Sequence, residues 1–218
     1  MRPSVGSRTN AASASATAVL FAGAAIILAH DLLSYDLGPQ ARHMILHIVA
    51  MNIVAPLLAA LVVTRWPERH APPRWLWFAA LIQVVALWAS HAPAVQHLAM
   101  ERPGVQFVTH GILLLSALAF WTLLLALPDA RRWHAIPALL LTGKLVCLLA
   151  ALMVFAPRTL YGAGHVHGAA ALADQQLAGL LMIAACPLSY LVAAIMITVA
   201  LVCRDTPQPV LRRPVRSA

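Results

Sequence analysis

The chain has 218 residues, of which 61% are hydrophobic and only 10% are charged, and its mean hydropathy is +0.81. A soluble domain carries about 25% charged residues, so this composition excludes an ordinary soluble protein and indicates one compact membrane domain. The formal net charge of +8 would suit a nucleic acid, but the basic residues flank apolar segments, where anionic lipids account for them. We therefore expect a lipid bilayer and no nucleic acid as a partner.

Six apolar segments follow one another along the chain, and each is long enough, given tilt, to cross a bilayer. We predict an all-α fold, a polytopic integral membrane bundle in which residues 16–203 form one transmembrane domain. A tail of small and polar residues at 1–15, which we expect to be disordered, precedes it, and a basic tail at 204–218 follows. The first segment has a basic start like that of a signal peptide, but its polar lead is long, so an uncleaved span is favoured. The spans are predicted at 16–33, 43–63, 75–90, 104–127, 136–155 and 176–203.

Lysine and arginine residues are concentrated at alternate connections between the predicted spans. Both tails and the loops after the second and fourth spans are arginine-rich, whereas the other connections carry only Arg42, Arg102 and Arg158. The positive-inside rule then places both termini in the cytoplasm, in agreement with an even number of spans. The expected location is a bacterial inner membrane, crossed several times.

Other polar and reactive residues have simple structural explanations. The three cysteines lie in apolar segments without a CxxC pair, so neither disulfides nor a thiolate zinc site is expected. Asp174 is predicted to cap the N-terminus of the sixth span, and Gln175 and Gln176 to hydrogen-bond other helices. Lys144 lies deep in the fifth span, where a charge is costly, and has no acidic neighbour in sequence. Because no nucleophile–base pair, phosphate loop or carboxylate pair is present, we do not expect an enzyme.

Eight of the ten histidines lie at or near the outer ends of the spans in this topology. His43 and His47 are four residues apart, so they share one helix face, which Met51 extends. Because successive spans run in opposite directions, His110 lies at a similar depth in another helix. Imidazole and thioether groups suit copper, although such histidines can also serve only as hydrogen-bonding core residues. The candidate metal ligands are His43, Met44, His47, Met51, His91, His110, His165 and His167.

Short motifs in a fixed order resemble those of the polytopic CtaG-type cytochrome c oxidase assembly factors. They cover about residues 40–185, and the ordered set is far more specific than any one motif. The His165-Val166-His167 loop is not a part of that pattern. The matching segments are Arg42-His43-Met44-Ile45-Leu46-His47 with Pro56-Leu57, Trp88-Ala89-Ser90-His91-Ala92-Pro93, His110 with Phe120-Trp121, Leu160-Tyr161, and Asp174-Gln175-Gln176 with Gly179.

The resemblance implies a membrane protein that is needed to assemble a haem–copper oxidase and that handles copper. It implies an oxidase subunit as partner, and a periplasmic copper donor that loads the outer face. Two alternatives remain open from the residues alone. One is an electron-transfer protein with haem between His47 and His110, since these lie on different spans. The other is a copper permease, which would need ligands at several depths in the bilayer.

Overall fold

The computed structural model describes residues 34–65, 70–161 and 168–205. The first predicted span, the predicted tail at 1–15 and residues 206–218 of the second tail lie outside these ranges, whereas residues 204 and 205 continue the last helix. The described residues form helices and no strands, so the all-α prediction is confirmed for them. In chain order the elements are α1 (Pro39–Val49), a π-helical turn (Ala50–Val54), α2 (Ala55–Arg65), α3 (Pro73–Ser90), α4 (Pro93–Glu101), α5 (Pro103–Leu125), a 3-10 turn (Asp129–His134), α6 (Ala135–Phe155) and α7 (Ala169–Asp205).

Four helical segments of the described chain are long and apolar enough to cross a membrane. Helices α3 and α4 are bent by 67° relative to each other, and as one broken span they would make a fifth. These five agree in position with the second to sixth predicted spans. The total number of spans and the side on which the termini lie stay predictions. The four segments are Pro39–Arg65, Pro103–Leu125, Asp129–Phe155 and Ala169–Cys203.

Two connections predicted as loops are wrong in part, because helix continues into them. Pro93 occupies the first turn of α4 after an extended Ala92, a position where proline's missing N–H is harmless. Helix α4 therefore replaces most of the loop expected between the third and fourth spans. The last helix begins at Ala169 rather than 176, because the alanine-rich start has high helix propensity.

A π-helical turn separates α1 from α2 within the second predicted span. Pro56 has no N–H to donate to the carbonyl of Asn52, so a regular α-helical ladder cannot pass through this point. The turn covers Ala50–Val54, immediately before that proline. Trp121 of α5 donates its indole N–H to the carbonyl of Met51 at 3.3 Å. The neighbouring helix thus fixes the irregular segment, which begins three residues after His47.

Asp174 does cap a helix, but not the helix to which the sequence assigned it. It lies inside α7, five residues after the start, so it cannot cap its own N-terminus. Its carboxylate oxygens accept the amide N–H groups of Gln40 at 2.9 Å and Ala41 at 3.0 Å. A Cβ atom on Gly38 would overlap that carboxylate, so the glycine keeps the approach open. The acidic group thereby compensates the positive end of α1 across the bundle.

The two glutamines that follow Asp174 join α7 to the end of α6, as predicted. Gln175 donates to the carbonyl of Met153 at 3.1 Å and accepts the N–H of Leu160 at 2.6 Å. Gln176 donates to the carbonyl of Val154 at 3.3 Å. These bonds satisfy carbonyls that the last turn of a helix leaves without partners. Helix α7 is therefore tied to α1 and α6 at the same end of the bundle.

Candidate metal centre

Four histidine rings meet at the end of the bundle where α1 and α5 begin and α3 ends. His43 and His47 lie one turn apart on α1, His91 follows α3, and His110 lies in the third turn of α5. The structure thus brings together four of the eight predicted ligands. The ring centres are 4.6 Å apart for His43–His110, 5.3 Å for His47–His91, 6.0 Å for His43–His47, 6.4 Å for His43–His91 and 6.5 Å for His47–His110.

Backbone carbonyls fix the orientation of two of these rings. The Nδ1 atom of His91 lies 2.8 Å from the carbonyl oxygen of Leu87, and that of His110 lies 2.8 Å from the carbonyl oxygen of Gln106. A carbonyl only accepts, so each Nδ1 carries the proton and each Nε2 keeps its lone pair. Metal-binding histidines are typically held in this way, with the other ring nitrogen donating to a carbonyl.

Several enclosed ring nitrogens in this cluster have no hydrogen-bond partner among the described residues. They are both nitrogens of His47, Nε2 of His91 and Nε2 of His110. Leaving a buried polar atom unpaired costs about 1–3 kcal/mol, so one such atom is already unusual. Because a neutral imidazole keeps a lone pair on only one of its two nitrogens, these atoms offer three lone pairs to a cation, one each from His47, His91 and His110.

The distances between the ring centres are close to those expected for histidines around one metal ion, but the rings do not yet form such a site. Two imidazoles that bind one ion at about 2 Å have their ring centres about 5 Å apart. The measured separations of 4.6–6.5 Å bracket this value. Within the described residues, however, no group of three or more His, Cys, Asp or Glu side chains has the geometry of a formed metal site. The rings would have to turn inward to share an ion.

The other predicted ligands have different outcomes. Met44 and Met51 are buried in the apolar core, with exposed fractions of 1% and 3%. Packing in the core explains the presence of both methionines, and metal binding by their sulfur atoms stays a prediction. His165 and His167 lie outside the described residues.

Sequence reasoning missed two side chains that support the cluster. Gln96 of α4 donates to the carbonyl of Ser90 at 3.0 Å, and its amide nitrogen lies 3.5 Å from Nε2 of His43. Tyr161 donates its hydroxyl to the carbonyl of His91 at 3.1 Å. Burial raises the pKa of Tyr161 to about 12, so the hydroxyl stays protonated at neutral pH. In the sequence, only the Leu160-Tyr161 motif pointed to Tyr161. Nothing pointed to Gln96 except its position shortly after Pro93.

These helices and rings define the protein as a polytopic helical membrane protein with a cluster of four histidines at one end, of which His43, His47 and His91 are buried. The family model described as cytochrome c oxidase caa3 assembly factor matches residues 15–203, so the chain belongs to that family. The resemblance drawn from the short motifs is therefore confirmed. No curated protein and no solved structure shows detectable similarity to the chain. Membership of this family gives a role in oxidase assembly and implies an oxidase as partner.

Proposed function

We propose that the protein binds copper at the four-histidine cluster and helps deliver it to a subunit of a haem–copper oxidase, as a membrane-bound metallochaperone. The single observation that carries the proposal is the set of unpartnered nitrogens on His47, His91 and His110. Neutral imidazole is a good ligand for copper and a poor one for hard cations such as Mg²⁺. The buried methionines would add thioether ligands that favour the reduced ion.

The cluster's place in the fold suits delivery better than transport. The rings lie toward one end of the bundle, within the first three turns of α1 and α5 and after the end of α3. An ion held there has a short path to the surface at that end. A permease would need ligands at successive depths, and the four clustered rings share one level. In sequence, the His165-Val166-His167 motif follows Tyr161, whose hydroxyl donates to the carbonyl of His91. This motif would be a second capture point.

Haem between two of these histidines is less well supported. A porphyrin held by His47 and His110 must lie between their rings, whose centres are 6.5 Å apart. His43 lies 4.6 Å from His110, and His91 lies 5.3 Å from His47, so imidazole rings fill the adjoining space. Both would have to leave before a macrocycle could enter. Copper therefore fits this geometry better than haem does.

Metal analysis and copper titration of the purified full-length protein test the proposal. We expect His91→Ala to weaken copper affinity by about 100-fold, because even outer-shell changes cost about 10–100-fold. His97→Ala is the matched control, since His97 lies on α4 at the same end but pairs with Glu101 outside the cluster. Wild-type affinity in His91→Ala, or equal losses in both variants, would contradict the copper site. A Soret band in the purified protein would favour haem instead.

The proposed direction of delivery requires the cluster to face the periplasm of a bacterial inner membrane. The arginine bias supports this orientation. Alkaline phosphatase fused after Gly38 or Arg102 should be active, and the same enzyme fused after Arg132 should be inactive. The reverse pattern would place the histidines on the cytoplasmic side and would rule out periplasmic loading.

A further inference from the structure

Lys144 occupies an unusual position in the middle of a span. Helix α6 has 21 residues, Ala135–Phe155, and Lys144 is the tenth of them. At the rise of an α-helix it lies about 14 Å from one end and about 16 Å from the other. Lysines near span ends reach the interface by extending their side chains, but this one is too deep to do so.

The side chain of Lys144 points away from the bundle interior. It is exposed on the outer surface of α6, which the bilayer would surround. The ion pairs between described side chains join His97 to Glu101 and Arg132 to Asp129, and neither includes this lysine. Intramembrane charges almost always face a protein interior or pair with another group. Within the part of the chain that the structure describes, Lys144 therefore lacks the environment that a charge at this depth requires.

Lys144 lines a groove between α6 and α7. Its volume is about 220 Å³, and its lining includes Gly143, Lys144 and Cys147 of α6 with Pro187 and Tyr190 of α7. A second hollow of about 450 Å³ lies further along α6, beside Leu148 and Phe155, and is almost wholly apolar. Lys144 is the one charged residue in the linings of these two hollows along α6.

We propose that this groove is the docking site for a transmembrane helix of another protein, which carries a carboxylate near mid-bilayer depth. Charge complementarity with Lys144 selects the acidic group, and the apolar lining of the two hollows suits the rest of such a helix. We do not expect a second copy of this chain to supply that group, because the predicted span boundaries place its acidic residues in the tails, in the loops or near the ends of the spans. They are Asp31, Asp36, Glu68, Glu101, Asp129, Asp174 and Asp205. This inference does not depend on copper binding.

Photo-crosslinking in reconstituted vesicles tests the proposal. A photoreactive residue replaces Leu148, which is 51% exposed and one turn beyond the lysine. The probe is a synthetic Leu/Ala helix of about 20 residues with one central glutamate, in phosphatidylcholine vesicles. We expect its crosslinking yield to exceed that of a glutamine twin by roughly three- to tenfold, the range for polar contacts between membrane helices. Lys144→Met should abolish this preference, and Lys144→Arg should retain it.

The controls separate this surface from the rest of the molecule. The same photoreactive residue at Leu115, which is 64% exposed on α5, should show no preference between the two peptides. Copper affinity should be unchanged in Lys144→Met. Failure of the docking proposal can therefore be distinguished from failure of the copper site. Equal yields for the two peptides, or a preference that survives Lys144→Met, would overturn the proposal. Crosslinks to a second copy or to residues 16–33 of the same chain, in place of the peptide, would overturn it as well.

Discussion

Replacement of His47 by alanine should abolish oxidase maturation while leaving the amount of protein in the membrane near normal. Both ring nitrogens of His47 are enclosed and unpartnered, so the variant loses no hydrogen bond that stabilises the fold. The cost of the space left by the ring is offset by the removal of two unsatisfied polar atoms. The proposed copper ligand, in contrast, is lost outright, and surplus copper should restore part of the activity by mass action.

Oxidase activity and immunoblots of the same membranes, with and without added copper, measure this effect. His47→Leu serves as a second variant that fills the space but offers no ligand, and His97→Ala serves as the control outside the cluster. Full activity in both His47 variants would eliminate the histidine cluster as the copper site. Parallel loss of protein and activity in His47→Ala, with normal activity in His47→Leu, would show that the ring is needed only for packing.

Replacement of Gly179 by alanine should destabilise the bundle strongly for so small a change. A Cβ atom there would lie 2.8 Å from a methyl group of Val154 and 3.0 Å from the carbonyl oxygen of Ala150. The carbonyl belongs to the backbone of α6, so the two helices must separate to admit the methyl group. Overpacking of this kind costs about 1–3 kcal/mol. We expect a lower melting temperature of the purified protein, followed by tryptophan fluorescence in detergent.

Gly111→Ala is the matched control for this substitution. Gly111 also lies inside a helix, α5, but a Cβ atom there would have no neighbour within 4 Å. Alanine is better than glycine in a helix interior by about 0.5–1 kcal/mol, so the melting temperature should stay constant or rise. A similar fall in both variants would mean that backbone flexibility, and not the close approach of α6 and α7, determines the response.

Helix positions and the histidine cluster followed from local rules that the sequence displays directly. The apolar segments set the helices, and the four-residue spacing of His43 and His47 set their common face. The alternating direction of the spans brought His110 to the same level. The rotation of each helix about its axis depends on packing between distant residues, however, and the sequence alone does not show it. The approach of His91 to His47 at 5.3 Å is therefore a result of the three-dimensional fold.

The errors have the same origin. Asp174 has the chemistry of a cap, and a local rule assigns it to the nearest helix start, but its partner is Gln40, 134 positions earlier. The support that Gln96 and Tyr161 give to the cluster also comes from contacts across the bundle. The π-helical turn left one local trace, which was Pro56 within an apolar segment.

The bond between Asp174 and the start of α1 also sets an order for biosynthesis. The amide groups of Gln40 and Ala41 leave the ribosome early, but the carboxylate that binds them belongs to the last described helix. A nascent chain that has not yet reached residue 174 therefore has the helix with His43 and His47 in an uncapped state. Capping of the helix that carries His43 and His47 is thus coupled to synthesis of α7, because a chain that stops short of residue 174 lacks the carboxylate that accepts these two amide groups.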